Sequence, residues 1–273
     1  MGSAFFIVWR ESLEAVLVVG ILYAWVRRND VPRGLAYLWG GVAGGIALAA
    51  ALALAIFSIQ SQLGGEALEY FQTTMIAIAA ALIVQMVLWM RRHGRELQRD
   101  LERSAGAAAS TGKLMGLAML AAIAVGREGA ETVIFLYGLG LERSGSDLAA
   151  FAGAAAAGLA AALLSAWILW RGALLLSWRT FFRVTGFVLL LLASGLIVNA
   201  VERLIGVEVL PALIDPLWDL STILDDGDGL GQLVASFTGW RARPALLTVL
   251  VWAGYWLALA AALYPRRPRA RVA

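Results

Sequence analysis

The chain has 273 residues, a net charge of +3, and a composition that is 61% hydrophobic and 15% charged. A soluble domain of this length is about a quarter charged, so the balance excludes an ordinary water-soluble fold. The absence of cysteine excludes disulfides, thiolate metal sites and iron–sulfur clusters, and the single histidine, His93, excludes paired-histidine haem ligation within one chain.

Hydropathy and length predict seven membrane-spanning helices, over roughly residues 4–26, 35–57, 70–90, 114–140, 148–170, 184–201 and 245–264. Each is close to the ~20 apolar residues that cross the hydrocarbon core as a helix. The first is not a cleaved signal peptide: no basic segment precedes it, and charges interrupt its apolar part. The start also lacks the Ser or Thr that a myristoylation signal places sixth. The second span carries Gly40, Gly41, Gly44 and Gly45, and the fifth carries Gly153 and Gly158 among alanines. Small residues let helix backbones approach closely in lipid, so both stretches read as packing faces. Tryptophans and tyrosines near span ends (Trp25, Tyr37, Trp89, Trp170, Trp252) suit interfacial anchors. Between the sixth and seventh spans lies a long loop, about 202–244. Its Asp225-Asp226-Gly227-Asp228-Gly229 run looks like a calcium loop, but Ser236 stands where an EF-hand needs its twelfth-position Glu. A solvated turn is the better reading.

Charge decides orientation. Basic residues cluster after span one (Arg27, Arg28, Arg33), after span three (Arg91, Arg92, Arg95, Arg99, Arg103, Lys113), after span five (Arg171, Arg179, Arg183) and in the tail (Arg266, Arg267, Arg269, Arg271). By the positive-inside rule the N-terminus faces out and the C-terminus faces the cytoplasm. Because these residues are juxtamembrane, a nucleic-acid partner is excluded; the partner they imply is membrane lipid. Acids gather in the outer loops instead, among them Glu66, Glu69, Glu142, Asp147, Glu202, Glu208, Asp215, Asp219, Asp225, Asp226 and Asp228. Such a surface raises the local concentration of cations.

Two apolar spans are interrupted by charge: Arg10-Glu11-Ser12-Leu13-Glu14 in span one and Arg127-Glu128-Gly129-Ala130-Glu131 in span four. Both read Arg-Glu-x-x-Glu. Residues i and i+3 share a helix face, and each arginine reaches the second glutamate four residues on. Spans one and four run in opposite directions, so spans 1–3 and 4–6 form inverted-topology repeats with the site at their interface. At 1.5 Å per residue, Glu11 and Glu14 lie roughly 10–15 Å below the outer end of span one, and Glu128 and Glu131 at a similar depth in the outer half of the membrane. Six charges at that depth cost on the order of 15–20 kcal/mol on insertion scales. Two arginines against four glutamates leave two negative charges over, which calls for a multivalent cation or protons. A structural Arg–Glu lock would need only one of each. Oxygen-only ligation favours a hard cation.

These turns resemble those of the oxidase-dependent iron permeases, the high-affinity iron transporters of fungi and bacteria. The resemblance covers nearly the whole chain: it extends to WMRRHGRELQRDLE after span three, ETVIFLYGL in span four, ASGLIVNAVERL in span six and WDLSTIL in the outer loop. It implies seven spans, an outward N-terminus, and iron passing the glutamates as Fe(III) supplied by oxidation outside, with an external oxidase or periplasmic iron-delivery protein as partner. Two positions depart from the family pattern. Ser12 stands where many members have Gly, and EALEYFQTT keeps Glu69 but has Gln72 and Thr73 in place of a second Glu and a Gly.

The sequence therefore predicts an all-α integral membrane protein, one polytopic domain over 1–273. Repeat one covers about 1–103, repeat two about 113–201, the outer loop about 202–244 and the seventh helix about 245–264. Its expected role is that of a transporter and not an enzyme. The metal ligands are Glu11, Glu14, Glu128 and Glu131, charge is balanced by Arg10 and Arg127, and Glu66, Glu69 and Asp219 gather cations at the outer mouth. Iron is the substrate, with no haem or iron–sulfur cluster. The alternative is a proton-coupled transporter of another divalent metal or a small solute, its glutamates serving as proton relays.

Overall fold

The computed structural model describes residues 2–93, 97–110, 114–140, 145–171, 178–227 and 229–263. Arg95, Glu96, Lys113, Glu142, Arg143, Asp228 and the basic tail from Arg266 to Arg271, on which the charge reading partly rests, lie outside these residues. The described chain is helical, with no strand among the described residues. In order the helices are α1 (Gly2–Arg28), α2 (Gly34–Gln62), α3 (Gly65–His93), α4 (Leu97–Ser110), α5 (Met115–Gly140), α6 (Gly145–Trp170), α7 (Trp178–Gly206), α8 (Gly229–Thr238) and α9 (Leu246–Leu263).

Seven of these overlie the predicted spans. Five, namely α2, α3, α6, α7 and α9, contain segments long and apolar enough to cross a membrane. In α1 and α5 the Arg-Glu-x-x-Glu turns interrupt the apolar run. Two helices were not anticipated. Short α4 is amphipathic: it buries Ala105 while Asp100 and Arg103 stay exposed, and it packs on α1 and α5. The other, α8, belongs to the outer loop.

Polarity is arranged inside out. Leu54, Leu257, Ile123 and Phe57 are exposed, whereas Arg10, Glu11, Glu14, Glu128 and Glu131 are buried. Water would reject that arrangement, since charged groups are almost never fully buried in soluble proteins and large apolar patches are covered. Lipid accepts it. This is the pattern of a multi-pass membrane protein. The apolar window of α7 is 67% buried against 11% for α2, so α7 runs inside the bundle and α2 faces lipid.

Packing pairs the helices: α1 with α6, α2 with α5, α3 with α7, and α1 with α5 at the centre. The small-residue stripes close two of these seams. A Cβ on Gly41 would collide with the Ala118 carbonyl, one on Gly45 would come within 2.8 Å of the Gly126 nitrogen, and one on Gly158 within 2.5 Å of the Phe5 carbonyl oxygen. The glycines therefore set how near α2 lies to α5 and α6 to α1. Between α3 and α7 the core is aliphatic, with Ile76, Ile83, Leu189 and Leu192 packed around Ile7 and Phe135.

The loop between α7 and α9 is folded. Leu217 donates to Pro244 (2.8 Å), Leu220 to Ala242 (2.9 Å), and Arg241 pairs with Glu202 at the end of α7 (2.6 Å). Asp225 accepts from the Gly227 amide at 2.9 Å, a closed turn in keeping with the rejection of an EF-hand. Helix α8 is tucked inward: Ser194 of α7 donates to the Thr238 carbonyl at 2.9 Å, and Trp252 of α9 does the same at 2.9 Å. Ser194 lies a dozen residues, about 18 Å, from the C-terminal end of α7. Phe237 of α8 in turn covers Gly2, so α1 begins beneath α8.

Candidate metal centre

The start of α1 beneath α8 fixes the level of its charged turn. Arg10 lies against Met86 and Met90, close to the C-terminal end of α3, and not beside that helix's first half. The charged turn of α1 is thus level with the C-terminal end of α3.

In α1, Ile7, Glu11, Glu14, Val18 and Leu22 recur at three- and four-residue spacing and are buried. In α5, Leu117, Ala121, Val125, Glu128 and Glu131 do the same. Each helix thus buries one stripe, and the glutamates lie on it. Gly126 precedes the α5 turn and Gly129 lies within it; Gly126 meets Gly45, and a Cβ on Gly129 would stand 2.7 Å from that of Ala49. Helix α2 therefore packs directly behind the glutamates, and a bulkier residue there would push it away.

Carboxylate oxygens of Glu11, Glu128 and Glu131 lie within 4.8 Å of one another. An octahedral ion with bonds of about 2.1 Å holds neighbouring ligand atoms about 3 Å apart, so a shift of about an ångström in each oxygen would bring them onto one cation. Each acid points one oxygen toward an arginine and keeps the other free. Glu11 Oε1 accepts from Arg10 Nη1 at 2.7 Å, Glu131 Oε1 accepts from Arg127 Nε at 3.0 Å, and Glu128 Oε1 lies 3.9 Å from Arg127 Nε. The second oxygens, Oε2 of all three residues, are buried with no hydrogen-bond donor. Buried carboxylate oxygens left without a donor are rare in folded proteins, and three clustered glutamates that each carry one make a candidate site for a cation or protons.

The other expected residues are distributed differently. Glu14 does not join the cluster of three; it is held by Arg10 Nη2. Arg10 is 1% exposed, and Arg127 keeps a face open, its guanidinium carbon 5.0 Å over the ring of Trp89. Glu69 accepts from Arg203 at 3.0 Å, and Gln72, in the position of the family's second acid, accepts from the same nitrogen at 3.1 Å. Glu66 is exposed at the start of α3. Asp219 serves its own loop, accepting from the Ser221 hydroxyl at 2.7 Å and pairing with Arg243 at 3.0 Å.

Met86, Met90 and Arg203 were not singled out from sequence, and Trp89 was read as an interfacial anchor. Met86 and Met90 have the four-residue spacing of one helix face, but nothing local says that this face meets Arg10.

Comparison with known proteins decides the family. Residues 1–267 match the iron permease FTR1 family. The chain belongs to that family. A ferrous iron permease, EfeU, of Escherichia coli O6:K15:H31 (strain 536 / UPEC) is 29% identical over 271 residues, covering 98% of this chain and 97% of that protein. The ferrous iron permease EfeU of Yersinia pestis is 28% identical over 254 residues, 92% and 89% of the two chains. No solved structure matches.

Proposed function

We propose that the protein carries iron across the cytoplasmic membrane, with Glu11, Glu128 and Glu131 as the carboxylates that take the ion and Glu14 as the fourth acid of the site. The observation that carries the reading is the convergence, within 4.8 Å, of carboxylate oxygens of three glutamates from two opposed helices, each glutamate also keeping a buried oxygen without a donor, in a family of iron permeases. Arg10 and Arg127 neutralise the acids when no ion is present and retreat as the ion takes their oxygens. Glu66 and Glu69 gather cations at the outer mouth, while Asp219 contributes chiefly to the loop's fold.

The ion is read as Fe(III), supplied by an external oxidase or a periplasmic delivery protein, since an all-carboxylate donor set suits a hard cation. The relatives compared are named ferrous iron permeases, so both oxidation states belong in the test. The architecture proposed is seven spans (α1, α2, α3, α5, α6, α7, α9) with the N-terminus outside. Inverted repeats are supported by the packing pairs: exchanging α1 with α5, α2 with α6 and α3 with α7 converts the α1–α6 seam into the α5–α2 seam and leaves α1–α5 and α3–α7 unchanged. Rocking of one repeat against the other would then open the glutamates to each side in turn.

Uptake of radioactive iron into proteoliposomes, with and without reductant, tests the reading. Glu14→Ala and Glu131→Ala should each abolish uptake while the protein still reaches the membrane; normal uptake by Glu131→Ala overturns the ligand assignment, and normal uptake by Glu14→Ala removes the fourth acid from the site. Uptake that followed a proton gradient and favoured Mn(II) over iron would replace it with the proton-coupled alternative.

A further inference from the structure

Resting on that reading of the carboxylate site, we propose that the α3 turn 86–90 is a seat for both site arginines. It holds Arg10 on the thioethers of Met86 and Met90, and Arg127 on the ring of Trp89, while the glutamates engage the ion.

The problem the seat solves is set by burial. Arg10 is 1% exposed and its charge is balanced by Glu11 and Glu14 alone on its own helix. When a cation draws those oxygens away, a buried guanidinium loses its partners, which is strongly unfavourable unless other acceptors are in place. A third acid beside Arg10 would supply one, but it would compete with the site for the same cation. Thioethers avoid the conflict: they are uncharged, polarisable and weakly accepting. Met86 Sδ lies 3.1 Å from Arg10 Nη1, and Met90 Sδ lies 3.1 Å from Nη2. The two nitrogens held by sulfur are the two that also hold the glutamates, so an acid can leave either one without leaving it bare.

Between the two methionines, Trp89 receives Arg127 at 5.0 Å, a cation–π contact that likewise adds no charge. One turn of α3 therefore serves the arginines of both Arg-Glu-x-x-Glu turns. Its contacts matter more in the loaded state than in the empty one, where the glutamates share the work. That difference converts the seat into iron affinity.

The test uses purified full-length protein and equilibrium binding of radioactive iron in detergent, alongside proteoliposome uptake. Met86→Leu/Met90→Leu keeps the volume and removes both acceptors; Met86→Gln/Met90→Gln keeps the length and restores them. The leucine pair should raise the Kd for iron by about tenfold, the scale of losing hydrogen bonds to a charged group, and the glutamine pair should stay within about threefold of wild type. Leucine binding like wild type, or glutamine binding no better than leucine, overturns the seat, because packing alone would then account for the methionines. If the double variant fails to fold, the single Met90→Leu at the partly exposed position carries the same comparison. Failure of the transport reading looks different: wild-type protein would bind no iron, or Glu131→Ala would bind as wild type does.

Discussion

Gly158 offers a measurement that links packing to the metal centre. An alanine there places its Cβ 2.5 Å from the Phe5 carbonyl oxygen and 3.1 Å from the Trp9 amide nitrogen, both backbone atoms that cannot rotate aside. Ordinary contact begins near 3.4 Å, so α6 and α1 must part by nearly an ångström. Overpacking of this kind costs about 1–3 kcal/mol, against about 0.5–1 kcal/mol gained by alanine over glycine within a helix. Gly153 is the control. It lies on the same helix, and a Cβ there meets nothing within 4 Å. Reversible denaturation in mixed detergent micelles should therefore find Gly158→Ala less stable than Gly153→Ala by about 1–3 kcal/mol. The displaced segment runs directly into Arg10 and Glu11, and misplacement by an ångström can cost about a hundredfold in a positioned site. Iron uptake by Gly158→Ala should fall well below that of Gly153→Ala. Equal stability and equal uptake for the two variants would refute both the seam and its coupling to the site.

Other consequences can be checked independently. Gln72→Glu would set a second carboxylate on Arg203 beside Glu69 and strengthen the field at the mouth. It should lower the KM for iron by about two- to fivefold at low ionic strength, an advantage that shrinks as salt screens it; a KM indifferent to both changes would remove Glu69 from the capture step. In the outer loop, hydrogen bonds from the Ser221 hydroxyl and amide, then from Arg243, hold the Asp219 carboxyl down from 3.8 to about 2. A depressed folded value means that its contribution is complete above the ordinary carboxylate range and is lost as pH falls through about 2. Hydrogen exchange at the Ser221 amide, corrected for intrinsic rate, should stay protected at pH 4 and lose protection toward about pH 2. Asp219→Asn should abolish that dependence, and unchanged protection down to pH 2 in the wild type would contradict the turn.

How much was legible follows from which interactions are local. The long apolar runs of α2, α3, α6, α7 and α9 and the glutamate spacing in α1 and α5 could be read directly, because hydropathy and a 3.6-residue period are properties of a single helix. The glycines of α2 and α6 announced close packing, though not against which partner. Helix α4 was missed because its apolar side is only a narrow stripe, led by Leu101 and Ala105, and α8 because ten residues in a loop carry too little pattern.

By itself, then, the sequence determined that two Arg-Glu-x-x-Glu turns must be buried in lipid-facing helices, since no water-soluble fold accommodates 61% hydrophobic residues in such runs. The tertiary structure decided which acids meet. Because α1 meets α5 at its charged turn, Glu11 joins Glu128 and Glu131, while Arg10 pairs with both Glu11 and Glu14. It also decided that sulfur and an indole ring flank the arginines, and that Arg203 stands between Glu69 and Gln72. The Arg10 and Arg203 pairs lie more than seventy residues apart in the chain and Arg127 and Trp89 lie on different helices, so only the packing of α1, α3, α5 and α7 could bring them together.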